Sequence, residues 1–119
     1  MMSSATADSA ARDEQLDRVF RALGDRTRRA ILSRLAQGSA MVTELAQPFE
    51  MSLPGVGKHL RVLETAGLVK RTIDGRVHRC ALEALPLRDA GQWLAYYQQF
   101  WGETLDALVA HVQAGGEPE

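Results

Sequence analysis

Apolar residues recur at helical spacing near the start of the chain. Leu16, Val19, Phe20 and Leu23 share one face, and Gly24 predicts the stop of that first helix. Asp25 stands where a carboxylate caps the next helix, whose stripe is Ile31, Leu32 and Leu35 and whose end is near Gly38. A short third helix follows, with Thr43 as the expected cap, Leu45 and Ala46 facing inward, and Pro48 ending it. Ser52 caps a fourth helix that runs from about Leu53 to Ala66, with Pro54 tolerated in its first turn. Val56, Leu60 and Leu63 form its apolar face and Gly67 terminates it. The stretch 68–73 has strand character, Asp74-Gly75 signals a tight hairpin, and 76–82 returns as a second strand. Pro86 opens a last helix that reaches about Ala114.

This order predicts a mainly α fold with a small β-hairpin: a winged helix-turn-helix. Residues 1–13, rich in Ser, Ala and Asp, are expected to be a disordered arm. Residues 14–114 are expected to form one winged helix-turn-helix domain, and 115–119 a flexible tail. A chain of 119 residues buries only about two-thirds of its unfolded surface, so a subunit interface would add needed burial. The last helix offers one. Leu94, Tyr97, Trp101, Leu105, Leu108 and Val112 follow a 3,4,4,3,4 spacing, and Trp93, Tyr96 and Phe100 widen the stripe. The expected dimer interface is Leu16 and Phe20 of the first helix with Leu94, Tyr97, Trp101, Leu105 and Leu108 of the last. The alternative is that the terminal helix docks on its own domain.

Composition adds exclusions. No apolar run approaches the ~18 residues of a membrane span, and the N-terminal stretch does not read as a signal peptide. Cys80 is the single cysteine, which excludes an intrachain disulfide and suits a reducing cytoplasm. The net charge of −1 hides a strong asymmetry. Residues 52–82 hold six basic and two acidic residues, a net +4, whereas 83–119 hold one basic and six acidic, a net −5. The basic middle is suited to phosphate.

That middle is the fourth helix and the hairpin. On a helical wheel Pro54, Lys58, Arg61 and Thr65 lie opposite the apolar stripe, with Gly57 and His59 flanking. A helix held by its apolar side and basic on the other fits the major groove. The hairpin carries Lys70, Arg71, Arg76, His78 and Arg79, and a short ribbon buries too little to need so many cations for its own fold. Arg71, Arg76 and Arg79 are the candidate phosphate contacts. Gly55 and Gly57, each costing about 1 kcal/mol in a helix interior, suggest either a close backbone approach to DNA or tolerance near a frayed turn.

The runs 20–32 (FRALGDRTRRAIL), 42–46 (VTELA), 57–69 (GKHLRVLETAGLV) and 74–76 (DGR) together resemble the ArsR/SmtB family of repressors over roughly residues 16–112. The resemblance implies a cytoplasmic homodimer that binds a palindromic operator in double-stranded DNA, in many members until an inducer binds. It places Ser52, Pro54, Lys58, His59 and Arg61 on the reading helix and Arg71 and Arg76 on the wing. Two positions depart from the family: Gly57 where Ser is usual and Leu53 where Gln is common, so operator preference does not transfer. The Cys-x-Cys of metal-sensing members is missing from the third helix, and Asp106 and His111 are five apart rather than three or four. No metal and no cofactor is therefore expected. Rival readings are a metal- or redox-responsive repressor with an atypical sensor, a winged helix used only for protein binding, and an enzyme. His59, His78 and His111 are too scattered for a catalytic set, and a protein-binding wing would need apolar patches in place of Lys and Arg.

Overall fold

A computed structural model describes the backbone of residues 2–115 and the side chains of residues 8–100, 102 and 104–114. Among the described residues, five helices and three strands follow in the order α1 (Met2–Leu23), α2 (Arg26–Leu35), β1 (Ala40–Met41), α3 (Val42–Ala46), α4 (Leu53–Thr65), β2 (Val69–Asp74), β3 (Val77–Leu82) and α5 (Leu85–Gly115). The expected order of helices and hairpin is present. Three features differ.

The first helix begins at Met2, whereas residues 1–13 were expected to be an arm without structure. Ala5, Ala7, Ala10 and Ala11 favour helix, and no Gly or Pro interrupts the run, so the helical backbone extends through it. Side chains 8–14 are nonetheless exposed, so this turn-by-turn extension adds no core. The expected tail falls almost wholly outside the described residues. The second difference is at α3, whose N-cap is Met41 and not Thr43. The Glu44 carboxylate accepts from the Met41 backbone N–H at 2.9 Å, so the helix is capped two residues before the expected Thr43. The third is β1, two residues that pair antiparallel with β3 (Ala40 with Cys80, Met41 with Arg79) and complete a sheet of order β1-β3-β2. Two residues carry no period, so the sequence gives no sign of this strand.

The core gathers one stripe from each element: Val19 and Ala22 of α1, Ile31 and Leu35 of α2, Leu45 of α3, Val56, Leu60 and Leu63 of α4, Val69 of β2 and Cys80 of β3. Burial of the Cys80 thiol pushes its pKa up. Asp25 caps α2 as expected, its carboxylate accepting from the Arg28 backbone N–H at 3.1 Å. The same bond holds the Asp25 carboxyl below its ordinary value.

The fold does not close on itself. Its radius of gyration is 19.9 Å, against about 13–14 Å for a compact chain of this length. Both terminal helices extend beyond the core, α1 over residues 8–14 and α5 beyond Ala90. Ala90 is the buried contact of α5 with the core, and every described side chain from Gly91 to Ala114 is exposed.

Candidate nucleic-acid interface

Two local devices fix α4. At its start the Ser52 hydroxyl oxygen accepts from the Gly55 N–H at 3.2 Å, and Pro54 sits in the first turn where no amide donor is missed. At its end Gly67 takes φ +78°. The Gly67 N–H then donates to the Glu64 carbonyl and the Leu68 N–H to the Leu63 carbonyl, both at 2.9 Å. That pair of bonds is a Schellman cap, which turns the chain straight into β2. A Cβ on Gly67 would also meet Gln15 Nε2 at 3.1 Å.

Val56, Leu60 and Leu63 are fully buried, so the rotation of α4 about its axis is set. The opposite face, with Pro54, Lys58, Arg61 and Thr65, is exposed. Among the described residues no carboxylate lies within 4.0 Å of Lys58, Arg61, Arg76 or Arg79. Lys58 and Arg61 thus stand unpaired on a helix whose roll is set, and Arg76 and Arg79 stand unpaired on the hairpin. The two helical glycines separate in meaning. A Cβ on Gly55 would come within 2.8 Å of Met51 Cγ, so Gly55 makes room for a neighbouring side chain. A Cβ on Gly57 would meet nothing within 4 Å.

His59 is not part of the exposed face. It points toward the start of α2, with Nδ1 3.3 Å from Arg28 Nη1 and 3.8 Å from the Asp25 carboxylate. Arg28 also donates from Nε to the Ala22 carbonyl at 2.8 Å and from Nη2 to the Arg21 carbonyl at 3.0 Å. Arg29 donates to the Leu23 carbonyl at 2.7 Å. These arginines thus satisfy the last carbonyls of α1 and tie α1, α2 and α4 together. Sequence reading missed this role, although arginines just after a helix-ending glycine were a visible signal.

The hairpin divides its cations by face. The register pairs Arg71 with Cys80, Ile73 with His78 and Thr72 with Arg79. Arg71 and His78 therefore point to the side of the buried Cys80, while Lys70 and Arg79 point to the other. On the inner side, Arg71 Nε donates to Glu64 Oε1 at 2.6 Å, and Arg71 Nη1 lies 3.3 Å from His78 Nδ1. Arg71 is accordingly half-buried and engaged, unlike the free Arg76 and Arg79. A shallow notch bordered by Thr43, Leu53, Arg76 and Val77 shows that the wing, α3 and the start of α4 meet on one side of the molecule. Gly75, at φ +61°, makes the turn that carries Arg76.

The expected interface residues also divide. Leu16 and Phe20 pack on their own core, and the Phe20 ring meets Trp93 edge-on at 5.5 Å between centroids. Beyond that contact α5 presents Leu94, Tyr97, Leu105 and Leu108, each 40–55% exposed. The Trp101 side chain lies outside the described residues. No group of three His, Cys, Asp or Glu among the described residues is placed to hold a metal ion. No helix among them is long and apolar enough to cross a membrane.

Comparison with known proteins agrees with this arrangement. Residues 23–72, from the end of α1 into β2, match the family described as Helix-turn-helix domain. The chain is 55% identical over 53 residues to the HTH-type transcriptional regulator Rv2034 of Mycobacterium tuberculosis, a match covering 44% of this chain and 50% of that relative. It thus spans half the length of that protein. It is 30% identical over 79 residues to the transcriptional repressor SdpR of Bacillus subtilis, covering 66% of this chain and 88% of SdpR. Among solved structures, an ArsR family transcriptional regulator superposes with a TM-score of 0.71 at 47% identity, covering 76% of this chain and 93% of that one. The homodimeric winged helix-turn-helix DNA-binding domain Mb0332 of Mycobacterium bovis superposes with a TM-score of 0.59 at 29% identity, covering 83% and 89%.

Proposed function

The chain belongs to the ArsR family of winged helix-turn-helix transcriptional regulators, and from that premise we propose that it represses transcription in the bacterial cytosol by binding a palindromic operator as a homodimer. The observation that carries this reading is the set of unpaired cations on a fixed frame. Lys58 and Arg61 project from a helix whose roll is locked by three buried side chains, and Arg76 projects from the adjoining turn. Helix α4 enters the major groove and presents its exposed face to base edges, while the wing lays Arg76 on the flanking backbone. Phosphate neutralisation supplies most of the affinity and base contacts supply the sequence preference.

The second copy is called for by α5. An amphipathic helix exposed over more than twenty residues has too little intrachain packing to be stable in water. Pairing with its mate covers the aromatic stripe and holds two α4 helices at a fixed separation. The similarity to the homodimeric Mb0332 domain supports the dimer, and that to SdpR supports repression.

Selection of bound duplexes from random-sequence DNA, followed by gel shift at rising salt, tests the proposal. The wild type is expected to enrich a palindrome and bind it with a steep salt dependence. Lys58→Glu or Arg61→Glu is expected to abolish that selection without changing the oligomer. Normal selection by both variants would remove α4 as the reader.

A further inference from the structure

We propose that Arg71 serves DNA binding as a positioning residue, a strut from the wing to Glu64 of the reading helix, and does not itself contact phosphate. The inference rests on α4 and the wing being the DNA-binding elements. Three observations carry it. First, the guanidinium is already occupied: Nε donates to Glu64 Oε1 at 2.6 Å, and Nη1 faces His78 Nδ1 at 3.3 Å. Second, the pair is sheltered, with side chains 21% and 29% exposed, so water competes less for it than for a surface ion pair. Third, the pair stands where support ends. Residues 72–77 are all exposed, and beyond the Met41–Arg79 pairing with β1, one step past Arg71, the ribbon's own ladder holds the wing tip. Glu64 lies in the last turn of α4, within the Schellman cap that turns the chain into β2. The strut therefore fixes the angle between the reading helix and the turn that carries Arg76.

The proposal reverses the sign expected from charge alone. Glu64 is an acid beside a DNA-facing surface, and deleting it should strengthen binding if only net charge mattered. If the pair positions the wing, deleting it weakens binding.

The test uses a duplex selected by the wild type from random-sequence DNA and a scrambled duplex of equal length. Each is titrated with wild type, Glu64→Ala, Arg71→Gln and the double variant between 50 and 200 mM salt. Either single variant is expected to weaken binding to the selected duplex about tenfold, the scale of one lost charge-assisted hydrogen bond. The double variant is expected to be no worse than either single one, with the slope of log affinity against log salt unchanged. Hydrogen exchange of amides 72–77 in the free protein is expected to speed up in Glu64→Ala while the α4 core amides keep their protection. The strut is overturned if Arg71→Gln lowers the salt slope by about 0.9, the signature of one lost phosphate contact, while Glu64→Ala binds as well as wild type or better. Unchanged exchange at 72–77 overturns it independently of DNA. A wild type that enriches no duplex refutes the function itself, a result distinct from a failed strut.

Discussion

Replacing Leu105 and Leu108 by Ala should dissociate the proposed homodimer, and the size of the effect follows from the free surface of α5. Among the described residues, nine large apolar side chains from Trp93 to Val112 stand 40–59% exposed. At roughly half of a typical buried side-chain area each, they amount to about 800 Å² per protomer, the size of a standard protein interface. Leu105 and Leu108 are each a little over half exposed. Covering that remainder is worth about 1 kcal/mol per leucine. In a two-fold interface every substitution counts twice, so the double variant loses about 4 kcal/mol, on the order of 1,000-fold in dimer Kd. Alanine is the strongest helix former, so the substitution does not break α5 by propensity. Sedimentation equilibrium over a wide concentration range reads the constant directly. Helicity by circular dichroism should fall with dissociation, because beyond the Phe20–Trp93 contact the described side chains of residues 94–114 are exposed in the single chain. A dimer of unchanged affinity and unchanged helicity would refute the assignment of α5 as the interface.

Other substitutions probe the frame. Gly67→Ala forces an L side chain to φ +78° against Gln15, and should cost about 1–2 kcal/mol in urea unfolding; a neutral result would contradict the cap. Gly57→Ala adds a Cβ in open space and should stabilise α4 by up to about 1 kcal/mol, a rise of about 4 °C in Tm at fixed protein concentration. A fall in Tm would show that the position is not open. Asp25→Asn removes the charge from the α2 cap. Because the folded Asp25 carboxyl is held below its ordinary value of 3.8, its contribution is complete above that pH and is lost as pH falls below it. Wild type should therefore exceed Asp25→Asn in urea stability at pH 6, and the gap should close toward pH 2. A gap independent of pH would contradict the role given to the carboxylate.

The frame of the molecule is legible in the sequence because each element announces itself by a local rule. The stripe Val56, Leu60, Leu63 fixes the roll of α4, Ser52 and Gly67 bound it, and Asp74-Gly75 turns the wing. What is hidden is long-range. Nothing local says that Ala40 and Met41 pair with Arg79 and Cys80, that His59 faces Asp25, or that Arg71 is paired with Glu64. A basic residue on a strand reads the same whether it is paired inward or free, and only the register decides. For that reason Arg71, Arg76 and Arg79 looked equivalent as wing cations, although Arg71 is committed to Glu64 and the other two are free. The helical start of α1 was missed for the opposite reason: alanine favours helix strongly but leaves no apolar stripe to mark it.

In the proposed dimer, paired α5 helices hold two reading helices at a fixed separation. Binding measured on a selected palindrome and on the same palindrome with 5 bp inserted at its centre tests this most directly. A half-turn of the duplex moves one half-site to the opposite side, so affinity should drop toward that of scrambled DNA, and a 10 bp insertion should not restore a rigid dimer fully. Equal affinity for the parent and the 5 bp variant would contradict the claim.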